Sequence, residues 1–145
     1  MKSVPELLIV DDSPADVGLV REALAGSAHH PQINSVEDGE EALTFLDRRK
    51  KYINALRPDL IILDLNLPRR DGQAVLAAIK AAPALCRIPV VIFSTSQLRK
   101  DILRSYELGA NCYVSKPGNL KDFFLAIQAI EEFWFGFVNL PPRGE

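Results

Sequence analysis

In Asp59-Leu60-Ile61-Ile62-Leu63-Asp64, apolar residues run unbroken from one aspartate to the next. Pro58 precedes the run, and a continuous stretch rich in branched side chains predicts a central strand buried on both faces of a parallel sheet. Asp64 then sits at the carboxyl end of that strand. Working outward, Leu7-Leu8-Ile9-Val10 leads into Asp11-Asp12, and Val90 to Phe93, opened by Pro89, leads into Ser94-Thr95-Ser96. Ile33 to Val36 is a weaker strand, and about Cys112 to Val114 a fifth, followed by Lys116-Pro117. Helical spacing fills the gaps. Ser13 is a predicted cap, with Pro14 in the first turn, Asp16 three residues after the cap, and Val17, Val20 and Leu24 on the inward stripe. A second helix carries Ala42, Leu43 and Leu46, with a long helix or a long exit loop reaching to Arg57. A third has Val75, Leu76 and Ile79 and stops at Pro83; a fourth has Ile102, Leu103 and Tyr106 and closes at Gly109. The last starts near Asn119 and carries Leu120, Phe123, Phe124, Ile127, Ile130 and Phe133 or Trp134. Five strand-helix units in alternation predict an α/β fold, a parallel five-stranded sheet with crossover helices.

The 145 residues suit one domain, expected over residues 1–134, with residues 135–145 an apolar tail rather than a second domain. With 48% hydrophobic and 25% charged residues the composition is that of a globular protein, and no apolar run approaches the roughly 20 residues of a membrane span. Met1 to Glu6 has none of the features of a secretory leader, so a cytoplasmic address is expected. A net charge of -2 gives no general attraction to nucleic acid, and Arg48-Arg49-Lys50-Lys51 reads as a solvated face. Cys86 and Cys112 lack metal-ligand spacing and read as packing thiols; His29-His30 precedes Pro31 with no acidic neighbour in sequence and is assigned no chemistry.

Open parallel sheets place their functional crevice at the carboxyl ends of the strands. There the sequence puts Asp11-Asp12, Asp64, Ser94 and Lys116. Carboxylates about 4 Å apart repel by about 4 kcal/mol per pair at an effective dielectric near 20, and a divalent cation is the natural remedy. Oxygen donors alone favour Mg²⁺. With a metal on one side and the Lys116 ammonium on the other, Asp64 has the surroundings of a nucleophile toward phosphorus, and an aspartyl phosphate is the product. Singly, each residue has an ordinary alternative: Asp12 or Asp16 as a helix N-terminal charge, Ser94 as a turn hydroxyl, Lys116 as a surface charge. The whole set in order at strand ends is what points to chemistry.

From about residue 5 to 134 the pattern resembles the receiver domain of bacterial response regulators. The resemblance rests on Leu7 to Ser13, Asp59 to Pro68, Asp71-Gly72, Pro89 to Ser94, Gly109-Ala110 and Tyr113-Val114-Ser115-Lys116-Pro117. It implies the flavodoxin-like (βα)5 doubly wound fold of CheY-like receivers, with Asp64 as phosphoacceptor, Asp11 and Asp12 as Mg²⁺ ligands and the Asn66 backbone carbonyl as a further ligand. It also implies switch roles for Ser94 and Tyr113, a cis bond between Lys116 and Pro117, and remodelling of the face made by the fourth helix, fifth strand and fifth helix. Thr95 stands where the family usually has Ala or Gly, so it is a candidate modulator of access to the acceptor.

Ser13-Pro14-Ala15-Asp16-Val17, the segment from Asp47 to Pro58, Ser94-Thr95-Ser96 and Ile130-Glu131-Glu132-Phe133-Trp134 resemble the small regulators paired with cyanobacterial phytochromes and bacteriophytochromes. That likeness implies a phytochrome-type sensor histidine kinase as partner and a homodimer through the fourth helix, fifth strand, fifth helix and tail. Tyr113, Phe133, Trp134, Phe135 and Phe137 are its candidate surface, the alternative being a tail that folds back on its own domain. The expected protein is a switch whose own phosphorylation and dephosphorylation are self-catalysed, not an enzyme with an external substrate. Three alternatives compete. An adapter without phosphotransfer gains nothing from a complete acidic set. A haloacid-dehalogenase-like phosphatase wants a second Asp where the chain has Asn66, and a flavodoxin-like cofactor binder is disfavoured by Asp11-Asp12, which repel phosphate.

Overall fold

The computed structural model describes residues 4–143; Met1 to Ser3, Gly144 and Glu145, which the expected domain and tail include, lie outside the described residues. The strands are β1 (Glu6–Val10), β2 (Gln32–Val36), β3 (Leu60–Leu63), β4 (Val90–Ser94) and β5 (Cys112–Ser115). The helices are α1 (Pro14–Leu24), α2 (Gly39–Leu46), α3 (Gly72–Ala81), α4 (Arg99–Glu107) and α5 (Leu120–Glu131). All strands pair in parallel in the order β2-β1-β3-β4-β5, which is the doubly wound sheet expected.

Side chains alternate across a strand, so β1, β3 and β4 feed two cores at once. Leu8, Val10, Ile61, Leu63 and Ile92 pack against Ala42, Phe45 and Leu46 of α2 and Val75, Leu76 and Ile79 of α3. Leu7, Ile9, Ile62 and Phe93 pack on the other face against Val20 and Leu24 of α1 and Phe123, Ile127 and Ile130 of α5. Both faces of β3 are therefore covered, which is why its sequence is apolar without alternation.

Side-chain caps begin four helices: Ser13, Asp38, Asp71 and Asn119 each accept from the backbone N–H three residues on, at 3.2, 2.7, 2.9 and 2.9 Å. The fourth helix departs from expectation. Leu103 and Tyr106 are exposed and the only fully buried α4 side chain is Ser105, whose hydroxyl donates to the Asp101 carbonyl at 2.8 Å. α4 packs at the sheet's edge, so two of its three apolar residues face outward. In α2 the sequence passed over Phe45, which is buried and sits 4.9 Å from the Tyr52 ring; the helix is short and its exit is the long part, with a 3-10 turn at Lys50–Tyr52.

At the far end, α5 runs into a π-helix at Glu132–Phe137. Trp134 and Phe135 pack partly into the α1/α5 core, whereas Phe133 and Phe137 are exposed. The tail then returns to the amino end of the sheet. There Arg143 pairs with Asp59 at 2.8 Å and donates to the Val4 carbonyl at 2.6 Å. Of the surface expected for a partner, Trp134 and Phe135 thus serve the chain's own core in part.

Candidate phosphoacceptor site

The register of the ladders brings the site together. Val10 pairs with Leu63, so the next residues, Asp11 and Asp64, stand side by side, tied by the Asp64 N–H to the Val10 carbonyl at 2.9 Å. Ser94 pairs with Ser115 across β4 and β5, and the Lys116 N–H donates to the Ser94 carbonyl at 2.7 Å. Because Val10 and Leu63 point into the α2/α3 core, Asp11 and Asp64 point to the α1/α5 side. That is where the Lys116 ammonium lies, 5.9 Å from the Phe93 ring centre.

Lys116 Nζ donates to Asp16 at 2.7 Å, to Asp11 at 2.8 Å and to Asp64 at 3.0 Å. Its side chain is 5% exposed, and those of Asp11 and Asp64 are 6% and 8%. Burial works against the Lys116 ammonium, but the carboxylates of Asp11 and Asp16 outweigh it and hold its pKa above the ordinary lysine value. Burial also pushes the Asp11 carboxyl up, against the pull of Lys116 and the Ser13 N–H. One ammonium is shared among several acids.

Ligand oxygens of Asp11, Asp12 and Asp64 lie within 4.8 Å of one another. With Asp16, four carboxylates face one ammonium, leaving a formal excess of three negative charges. An all-oxygen, strongly negative set fits a hard divalent cation. The Asn66 N–H donates to Asp64 Oδ1 at 3.3 Å, which holds the loop after β3 against the Asp64 carboxylate. Gly72 closes the same corner: a Cβ there would meet the Asp64 carbonyl oxygen and approach Leu65 Cα to 2.6 Å. Both obstacles are backbone. Gly72→Ala is therefore expected to cost about 1–3 kcal/mol by overpacking and lower the melting temperature by roughly 3–10 °C. An unchanged thermal melt would contradict it.

Ser94 is fully buried and its hydroxyl accepts from the Ser96 N–H at 3.3 Å. The Tyr113 hydroxyl donates to the Ser96 carbonyl at 2.8 Å, so its ring is turned toward the loop between β4 and α4, and the Tyr106 hydroxyl accepts from the Tyr113 N–H at 3.1 Å. Thr95 is exposed and lines a groove with Asp16, Lys116 and Phe123, at the mouth of the acidic cluster. The resemblance implied a cis bond before Pro117; every peptide bond among the described residues is trans. Asp16 is the residue the sequence missed as part of the site. Its local role as a helix N-terminal charge concealed a contact made across 100 positions of chain.

A family model of the response regulator receiver domain matches residues 7–128, and the chain belongs to that family. Response regulator Rcp1 of Synechocystis sp. (strain ATCC 27184 / PCC 6803 / Kazusa) is 49% identical over 135 residues, 93% of this chain and 92% of that protein. The crystal structure of the phosphorylated cyanobacterial phytochrome response regulator RcpA superposes with a TM-score of 0.93 at 47% identity, covering 96% of this chain and 99% of that one. The Mn(2+)-bound form of Rcp1 gives 0.91 at 48% identity, covering 94% and 99%. These relatives agree with the subgroup resemblance and leave the phosphatase and flavodoxin alternatives without support. Receivers are switches with a histidine kinase partner and a divalent metal. No helix among the described residues is long and apolar enough to cross a membrane.

Proposed function

We propose that this chain accepts a phosphoryl group on Asp64 from the phosphohistidine of a phytochrome-type sensor kinase, with Mg²⁺, in the cytoplasm. The observation that carries this is the buried Asp64 carboxylate at a strand end, 3.0 Å from Lys116 Nζ and grouped with Asp11 and Asp12. An Asp64 oxygen bonds to phosphorus as the phosphorus–nitrogen bond breaks, and the departing imidazole keeps the electron pair and takes up a proton. Lys116 holds a phosphoryl oxygen. Asp11, Asp12, Asp64 and the Asn66 carbonyl would hold Mg²⁺, which supplies charge neutralisation at the phosphoryl oxygens when bound. The Ser94 hydroxyl leaves the Ser96 N–H for the new phosphoryl oxygens, and Tyr113, already bonded to Ser96, reports that move to the surface of α4, β5 and α5. Hydrolysis of the phosphoryl group is self-catalysed, with Thr95 limiting access.

Residues 1–134 act as the receiver and 135–145 as its tail. A homodimer through α4, β5 and α5 would bury Leu103, Phe133 and Phe137, which are exposed in the single chain. The pairing with a phytochrome-type kinase is supported by the likeness to RcpA, the phosphorylated phytochrome response regulator. The direct test is intact mass after acetyl phosphate treatment, with and without Mg²⁺, with size-exclusion elution on the same samples. A Mg²⁺-dependent gain of one phosphoryl group is the expected result. No gain under any condition would return the chain to the adapter alternative.

A further inference from the structure

Asp16 occupies the third position after the Ser13 cap, where an acidic side chain ordinarily reaches back to the N–H of the cap residue. That N–H is taken: Ser13 N donates to Asp11 Oδ1 at 2.9 Å. Half of the box survives, since the Ser13 hydroxyl accepts from the Asp16 N–H at 3.2 Å, but the Asp16 carboxylate is released from capping. It turns instead to Lys116, in the shortest of that ammonium's three contacts, 2.7 Å. An ammonium has three N–H donors, and all three are now committed to Asp11, Asp16 and Asp64. A phosphoryl oxygen arriving on Asp64 needs one of them. Asp11 is 6% exposed and Asp64 8%, whereas Asp16 is 28% exposed and returns to water at least cost.

We infer that Asp16 is a positioning residue that parks Lys116 in the resting protein and competes with the incoming phosphoryl group for its third donor. The inference rests on Asp64 being the phosphoacceptor. Before transfer, Lys116 is held at Asp16; in transfer, it lets Asp16 go and takes the phosphoryl oxygen. Asp16 therefore slows formation of the aspartyl phosphate without taking part in its breakdown, because by then the contact is already broken. Setting the rate of loading separately from the lifetime of the loaded state is what such a residue would do for a switch.

The test is the rate of acetyl phosphate labelling with Mg²⁺, followed by intact mass, for the parent protein, Asp16→Asn and Asp16→Glu, each at low and high salt. Hydrolysis is then timed after removal of the donor. Asp16→Asn is expected to load about fivefold faster, the factor one partly solvated charged hydrogen bond is worth, with a hydrolysis half-life within about twofold of the parent. Asp16→Glu, which keeps a carboxylate within reach, should fall back toward the parent rate. A general field effect of the lost charge would also speed loading, but salt screens it; a gain that disappears at high salt overturns the parking role. So does an unchanged loading rate in an Asp16→Asn protein with the parent's circular dichroism, or a hydrolysis rate that changes as much as loading does. Failure of the parent itself to gain a phosphoryl group would instead refute the acceptor assignment, so the two failures are distinct.

Discussion

Asp64→Asn is expected to give no phosphoryl gain with acetyl phosphate, with or without Mg²⁺, and to melt within a few degrees of the parent protein. The first outcome follows from chemistry: an amide is too poor a nucleophile toward phosphorus to replace the carboxylate. The second follows from charge. Asp64 shares Lys116 with Asp11 and Asp16, and its oxygens lie within 4.8 Å of those of Asp11 and Asp12. At that separation and an effective dielectric near 20, each of the two like-charge pairs costs roughly 3 kcal/mol, and on the same scale the attraction of Lys116 at 3.0 Å is worth roughly 5–6 kcal/mol. The two nearly cancel, and the amide oxygen still accepts from Lys116. Retained labelling in intact-mass spectra would move the acceptor to another residue; a loss of cooperative melting would show that the acceptor carboxylate holds the fold together.

The candidate residues for this chemistry are legible because each follows an apolar run. Asp11, Asp64 and Ser94 mark the ends of strands buried by two cores, and a parallel sheet in register brings such ends to one edge. What escaped was set by contacts between elements distant in sequence. Asp16 has a sufficient local explanation three residues after Ser13, and only the packing of α1 beside the loop after β5 brings Lys116 to it. His29 has no acidic neighbour in sequence. α5 packs on α1, so Glu132 arrives 3.0 Å from the His29 ring and the buried Glu131 bonds to the Ser27 hydroxyl. Leu103 and Tyr106 share helical spacing with buried residues elsewhere, but spacing reports which face is apolar and not whether anything covers it. The tail's apolar residues suit a partner's surface or the chain's own domain equally well; what anchors it to its own domain is a polar contact, the Arg143 guanidinium on Asp59.

Lys116→Ala has the largest expected effect on stability, and divalent metal should reverse most of it. Removing one partner from a buried ionic cluster costs about 3–5 kcal/mol, because the carboxylates left behind are uncompensated. Asp11 and Asp64 are almost wholly buried and Asp16 loses its sole cationic contact among the described residues. A fall in melting temperature of roughly 10–15 °C in chelator follows. The same charge argument gives the reversal. In the parent, Asp11 and Asp64 of the Asp11, Asp12 and Asp64 set are shared with Lys116; in the variant no ammonium competes for them, so a dication binds the variant more tightly and raises its melting temperature more per unit of Mg²⁺. Labelling by acetyl phosphate, by contrast, does not recover: a phosphoryl oxygen loses its positioned cation, and a deficit of about 10²–10³-fold remains at saturating Mg²⁺. Stability and loading thus separate in one variant. Equal Mg²⁺-induced shifts in parent and variant melts would mean that Lys116 does not share the acids with the metal, and full recovery of labelling would mean that it does not touch the reacting group.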